Sequence, residues 1–216
     1  MIPFLRVDSE STGTLLVGLG ARVTLIGASG AGKTTVLRGL LGLDRRAAAR
    51  LHDRPIDRKA LQQMIGWVPQ GDGVFLDQSV LDNVACPPYA KRVDRSVAMD
   101  ALDLLALADR AQSPVAHLSL LARRRVALAR ALASARPVLV VDGDLDATLL
   151  PLLPLLLQQV EHVETVVTAG CAVDDWVRAA DSVALVADGR IVAQGSLEDL
   201  ERLPEPAVKG VLSWVT

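Results

Sequence analysis

Gly27-Ala28-Ser29-Gly30-Ala31-Gly32-Lys33-Thr34-Thr35 meets the pattern G-x-x-x-x-G-K-[ST] at every constrained position. Glycines let a backbone wrap closely around phosphate oxygens, and successive N–H groups then converge into an anion nest. Lys33 brings a charge suited to β- and γ-phosphates, and the Thr34 hydroxyl suits a Mg²⁺ ligand. The flanks agree with this reading. Residues 22–26 are a short, β-branched apolar run, and Val36, Leu37, Leu40 and Leu41 recur at helical spacing after the loop. Strand, glycine loop and helix in that order place phosphates at a helix N-terminus, so the nine residues are read as a nucleoside triphosphate site.

The 216 residues, half of them hydrophobic, suffice for one substantial core. Aromatics make up only 3% against abundant Val, Leu and Ala, which suits a parallel sheet covered by Ala- and Leu-rich helices. A formal net charge of −2 gives no electrostatic case for wrapping nucleic acid. Cys86 and Cys171 lie far apart and outside any Cys-x-x-Cys pair, which points away from zinc and from a disulfide framework and towards a reducing, intracellular compartment. The first residues lack a basic segment followed by an apolar run, and the most apolar stretch, 147–157, is short and carries Pro151 and Pro154. No direct membrane insertion is expected.

In chain order, residues 4–7 and 14–17 read as short strands around a turn-rich 8–13. Residues 44–59, with six arginines and lysines at 45, 46, 50, 54, 58 and 59, read as an irregular solvated surface. Residues 64–68 are a strand running into Pro69-Gln70-Gly71. Val97, Ala98, Ala101, Leu102 and Leu105 share a face of a helix over 94–108, and an Ala-rich helix follows over 122–134. Residues 137–142 are a buried strand ending in the carboxylate of Asp142, and 164–168 are another strand. Segments 182–187 and 191–195 form a hairpin with Asp188-Gly189 at its tip, and Ser196 opens a helix with Glu198 and Asp199 in its first turn.

From about residue 14 to 203, the order of these features resembles the ATP-binding-cassette (ABC) ATPases. In that family a strand after the phosphate loop ends in a glutamine, matched by Gln70, and a Phe-containing turn and helix start follow, matched by residues 75–84. Residues 124–132 are similar to the continuation of the family's Leu-Ser-Gly-Gly-Gln signature, and 188–195 to its tail. The resemblance implies an α/β P-loop NTPase fold of the ABC-ATPase type: a mostly parallel central sheet flanked by helices, with a small N-terminal antiparallel β part. Residues 1–216 would form a single domain, with a helical subdomain at roughly 72–135 inserted in the core. It implies Lys33, Gln70 and Asp142 as catalytic groups, Thr34, Gln70 and Asp142 around Mg²⁺, and ATP as the nucleotide. A glutamine suits this place because its carbonyl can face the metal and its amide an attacking water.

Three departures from the family stand out. The signature glycines are Leu120 and Leu121 and its glutamine is Ala122, so branched side chains stand where backbone must approach a γ-phosphate. The glutamate expected after Asp142 is Gly143, with Asp144 as a secondary candidate base and Asp146 matching a shortened subunit-contact loop. The histidine expected after strand 164–168 is replaced by Ala169-Gly170, and His52, His117 and His162 all lie elsewhere, His162 on the surface. Phe4 is the one aromatic near enough in sequence to the N-terminal strands to stack on adenine.

Two function classes follow. The resemblance implies a transporter ATP-binding subunit at the inner face of the cell membrane, bound to a transmembrane subunit and to a second ATP-binding subunit in a homodimer or heterodimer. Its turnover would be slow or absent, because losses fall on both halves of the composite site and positioning groups dominate phosphoryl transfer. The alternative is a non-transport P-loop regulator or small-molecule kinase, with Arg123-Arg124-Arg125 as lid arginines. A DNA-repair relative is disfavoured, since no heptad run is present.

Overall fold

The computed structural model describes residues 4–71, 73–88, 91–143, 153–171, 173–204 and 206–215. In chain order the first half holds β1 (Leu5–Ser9), β2 (Gly13–Val17), β3 (Arg22–Ile26), α1 (Lys33–Leu40), β4 (Ala48–Leu51), β5 (Arg54–Ile56), α2 (Arg58–Gln63), β6 (Ile65–Val68), α3 (Val80–Ala85) and α4 (Arg95–Leu104). The second holds α5 (Leu120–Ala133), β7 (Val138–Val141), α6 (Leu153–Gln158), β8 (Thr165–Gly170), α7 (Asp175–Arg178), β9 (Ser182–Ala187), β10 (Arg190–Gly195), α8 (Leu197–Arg202) and α9 (Pro206–Val215). This is the expected α/β class, with parallel strand pairing, flanking helices and an antiparallel part.

Two compact units carry these elements. The first takes in the described residues up to Gln62, residues 142–143 and those from Glu164 onward. Here β8, β3 and β9 run parallel, with Ile26 opposite both Gly170 and Leu185, and β10 closes antiparallel on β9. Four of the five β3 residues are buried, as expected of a parallel strand covered on both faces. Ile26, Val183 and Leu185 pack with Leu200 of α8 and with Val208 and Val211 of α9, which places the C-terminal helices against this sheet. A second, antiparallel sheet of order β2-β1-β4-β5 lies in the same unit.

That second sheet corrects the reading of 44–59 as irregular surface. β4 pairs with β1, setting Leu5 opposite Leu51, and turns into β5 through His52 and Asp53, both at positive φ (46° and 61°). This is a two-residue hairpin turn made without glycine, and the arginines of its strands face solvent, so neither a turn signal nor an apolar alternation marks it.

The second unit holds residues 63–141 and 153–163 of the described chain. Its β6 and β7 pair in parallel from Ile65 opposite Val138 to Val68 opposite Val141. α3, α4 and α5 bury Val80, Leu81, Val84, Ala98, Leu102, Val126 and Leu128 against one another. Gly66 lets α5 cross β6 closely, because a Cβ there would stand 2.8 Å from the Ala131 carbonyl oxygen. α5 begins two residues earlier than its sequence pattern suggests, since Ser119 caps it by accepting from the Ala122 N–H at 3.3 Å.

Candidate functional site

The phosphate loop starts where β3 ends, and its glycines are demanded by what they touch. A Cβ on Gly27 would lie 2.2 Å from the Val186 carbonyl oxygen of β9. A Cβ on Gly32 would lie 2.5 Å from Gly189 Cα at the tip of the β9–β10 hairpin, and Gly32 also sits at φ +96°. Gly30, at φ +79°, has open space around it. The Gly189 N–H donates to Ala31 O at 2.8 Å, so the hairpin tip clamps the loop by a backbone hydrogen bond and by contact. Sequence reading saw that hairpin and missed this role. The Asp-Gly tip was legible as a turn, but what it rests against was not.

α1 begins at Lys33 with Gly32 in the left-handed region at its N-cap and no acidic residue in its first turn. Its N-terminal N–H groups are therefore left for an anion. Ala28, Ser29 and Gly30 are exposed, as is Thr35, while Gly27 is buried and Ala31 and Gly32 are half-buried. Lys33 is 9% exposed and donates to Gly27 O at 2.7 Å, to Ala28 O at 3.0 Å and to Cys171 Sγ at 3.3 Å. Thr34 Oγ1 donates to Asp142 Oδ1 at 3.0 Å. Asp142 is 2% exposed, and burial raises its carboxyl pKa, opposed by the Thr34 hydrogen bond, the Lys33 charge and the Gly143 backbone. Such a carboxylate gains from a cation placed beside it. Thr34 and Asp142, an uncharged oxygen and a buried carboxylate oxygen, form a hard-oxygen donor pair of the kind Mg²⁺ takes.

The loop residues Gly27–Thr35 and Asp142 thus come together within the first unit. Gln70 belongs to the second, exposed just beyond β6. Of the departures, Leu120 opens α5 and is 64% exposed, beside Ser119, whose Oγ accepts the cap hydrogen bond from Ala122 N–H. Gly143 sits at φ +87°, a backbone setting that L side chains rarely adopt. Ala169 is buried within β8. Asp144 and Asp146 lie outside the described residues. His162 is exposed, as expected, with its ring Nε2 3.0 Å from Leu132 O.

Phe4 stands apart from the phosphate loop. It is buried edge-on against His52, with ring centroids 5.4 Å apart at 70°, and the cleft it borders is lined by Gly18 and Ala21, which precede β3, and by Asp181 and Ser182 at the start of β9. It therefore lies at the opposite end of these strands from Gly27. Cys171 is the site residue that sequence reading missed. It follows β8 directly, and loops at the carboxyl ends of parallel strands are where α/β sheets bind ligands.

The sequence pattern of the ABC transporter family matches residues 13–144. The sulfate/thiosulfate import ATP-binding protein CysA of Photorhabdus laumondii is 34% identical over 218 residues, covering 93% of this chain and 60% of that protein. The aliphatic sulfonates import ATP-binding protein SsuB 2 of Pseudomonas fluorescens is 34% identical over 201 residues, covering 91% and 73%. A solved ATP-binding subunit of an ABC transporter superposes with a TM-score of 0.76 at 21% identity, covering 92% of each chain. The chain spans 60% of the length of the first of these relatives. With the family pattern covering the phosphate loop, Gln70, the α5 start and Asp142, the chain belongs to the ABC transporter family.

Proposed function

We propose that this chain is the ATP-binding subunit of an ABC transporter, peripheral at the inner face of the membrane through a transmembrane partner, and that it binds Mg·ATP while turning it over slowly or not at all. The observation that carries the reading is the joining of Thr34 to the buried Asp142 at 3.0 Å directly beside a glycine loop and a nearly buried lysine. Thr34 and Asp142, with Gln70 by family resemblance, would hold Mg²⁺, which when bound neutralises charge on the β- and γ-phosphates. Loop N–H groups and the α1 N-terminus hold phosphate oxygens, and Lys33 exchanges its carbonyl partners for them. Both named relatives are import ATP-binding proteins, which favours transport over a regulator or kinase.

Slow turnover follows from what the chain lacks around the γ-phosphate. Gly143 offers no carboxylate to orient a water, Ala169 offers no imidazole, and Leu120 would project its side chain towards a partner subunit's nucleotide. ATP would then hold a dimer or a transporter in one state rather than drive a cycle. The test is calorimetric titration with Mg·ATP beside phosphate release on the same preparation, alone and with its membrane partner. Binding without release is expected; turnover at an ordinary ABC rate that Lys33→Ala abolishes refutes the slow-turnover reading, and absence of binding refutes the whole.

A further inference from the structure

The nucleotide reading leaves residues 44–59 without a role. This segment runs through β4 and β5 to the start of α2 and carries Arg45, Arg46, Arg50, Arg54, Arg58 and Lys59, all of them exposed and none in an ion pair among the described residues. Its acids are Asp44, Asp53 and Asp57, so six cations against three acids leave a net +3, and a chain of formal net charge −2 carries −5 everywhere else. Two of these acids are engaged locally: Asp44 accepts from the Arg46 N–H and Asp57 from the Ala60 N–H, each at 2.9 Å. The sheet register then sets charge beside apolar surface. Arg6 of β1 stands opposite both Arg50 of β4 and Leu16 of β2, and these three are exposed, whereas Leu5, Val7, Leu15 and Val17 are buried on the other face. Like charges directly opposite one another repel, and of the two arginines Arg6 alone pairs with a carboxylate, Asp8 at 2.8 Å. Leu16 is 40% exposed and Leu19, just after β2, is 59% exposed, and both line a cleft of about 770 Å³ together with His52 of the β4–β5 turn. The leucines and the basic hairpin therefore share one surface.

We propose that the outward face of the β2-β1-β4-β5 sheet, with the basic segment 44–59 and the exposed Leu16 and Leu19, is a docking surface for an anionic lipid bilayer. The guanidinium groups meet headgroup phosphates, and the two leucines enter the headgroup boundary, so the chain lies on the bilayer without sending a helix into it. An acidic peptide or a nucleic acid would answer the charge and leave the leucines in water. The proposal rests on the membrane-peripheral reading for its setting, to which it adds a second hold beside the transmembrane partner. Its chemistry needs neither the nucleotide nor that partner.

The experiment is flotation of the full chain with vesicles of phosphatidylcholine alone or of equimolar phosphatidylcholine and phosphatidylglycerol, at low and at raised salt and without nucleotide. Wild type is expected to float with the anionic vesicles and not with the neutral ones, and salt weakens the binding. Each cation near such a surface is worth about five-fold in partition, so Arg50→Gln combined with Arg54→Gln loses about 25-fold. Arg45→Gln with Arg46→Gln, in the turn before β4, gives a second loss of that size, and a urea midpoint for each variant shows that it is folded. Leu19→Ser loses at least about three-fold with every cation kept. Arg202→Gln with Lys209→Gln removes the same charge from exposed positions on α8 and α9 and leaves partition unchanged, as does Lys33→Ala in the phosphate loop. Equal partition onto the two vesicle types, wild-type binding by both hairpin variants, or an equal loss in the α8–α9 control overturns the proposal. Binding to soluble polyglutamate or to an oligonucleotide without binding to anionic vesicles overturns it in favour of an acidic partner. Failure here leaves Mg·ATP titration to decide the nucleotide reading, and absence of Mg·ATP binding leaves the vesicle result standing.

Discussion

Three loop glycines that look alike in sequence should respond very differently to alanine. At Gly27 an added Cβ would meet the Val186 carbonyl oxygen at 2.2 Å, whereas ordinary contacts begin at 3.4 Å, so β3 and β9 must part by about 1 Å. Overpacking against backbone of this kind costs roughly 1–3 kcal/mol. At Gly32 the Cβ would stand 2.5 Å from Gly189 Cα, and the φ of +96° adds the left-handed penalty of about 1–2 kcal/mol, so the two together come to roughly 2–5 kcal/mol. At Gly30 nothing lies within 4 Å, and only the φ of +79° is felt, about 1 kcal/mol. Urea unfolding of the three variants should rank Gly32→Ala and Gly27→Ala well below Gly30→Ala, and Mg·ATP titration should show the same order, since a displaced hairpin tip also loses the Gly189 N–H bond to Ala31. A Gly27→Ala protein with wild-type stability, or Gly30→Ala as the most damaged of the three, would refute the clamp.

Asp142→Asn should separate stability from binding. Burial raises the Asp142 pKa in the folded chain, so the fold binds that proton more tightly than the unfolded chain and loses stability as pH climbs from the unfolded value through the folded one. The asparagine variant without nucleotide should therefore melt at or above wild type at neutral pH, with the gap closing in acid, while its Mg·ATP affinity falls at least about ten-fold. Arg130 is 1% exposed and gives Nη2 to Gly73 O at 2.8 Å, but its Nε and Nη1 have no partner among the described residues, and burial pushes its pKa below the usual arginine value. Arg130→Met should leave the denaturation midpoint unchanged or raise it, because a buried cation with one carbonyl and the Phe75 ring face for company costs more than an apolar side chain of similar length. Ser119→Ala should cost about 1 kcal/mol in urea unfolding through loss of the α5 cap. Gly143→Glu should leave phosphate release at its wild-type level, because φ +87° strains any side chain there by about 1–2 kcal/mol and does not aim it as an extended strand end would.

Residues that touch their own sequence neighbours were the most legible. The phosphate loop, the Asp188-Gly189 hairpin and the Ser196 cap could be read directly, and Ser196 does accept from the Asp199 N–H at 3.1 Å. β4 and β5 were hidden because β4's partner β1 lies some 40 residues away and the β4–β5 turn uses His52 and Asp53. Helix α4 stops at Leu104 rather than 108 because the chain turns at Ala106, whose φ of +53° no composition signal announces. The Lys33–Cys171 contact spans 138 residues and depends on β8 lying beside β3, which only parallel pairing reveals. Phe4 misled because an aromatic near a nucleotide site in sequence says nothing about which end of a strand it occupies.

The departures from the family are not scattered damage to a phosphate site. The groups proposed to bind phosphate and metal are present and mutually engaged: Lys33 is folded against the loop, Thr34 is joined to Asp142, and the hairpin tip holds the loop from outside. The departures fall on positions to which the family resemblance assigns work on the γ-phosphate or on a partner's nucleotide, at Gly143, Ala169 and Leu120. Random decay would strike a buried carboxylate such as Asp142 as readily as its neighbour, since burying it costs stability that an asparagine would restore. Keeping that carboxylate beside Thr34 makes physical sense where a cation and a triphosphate still occupy the site.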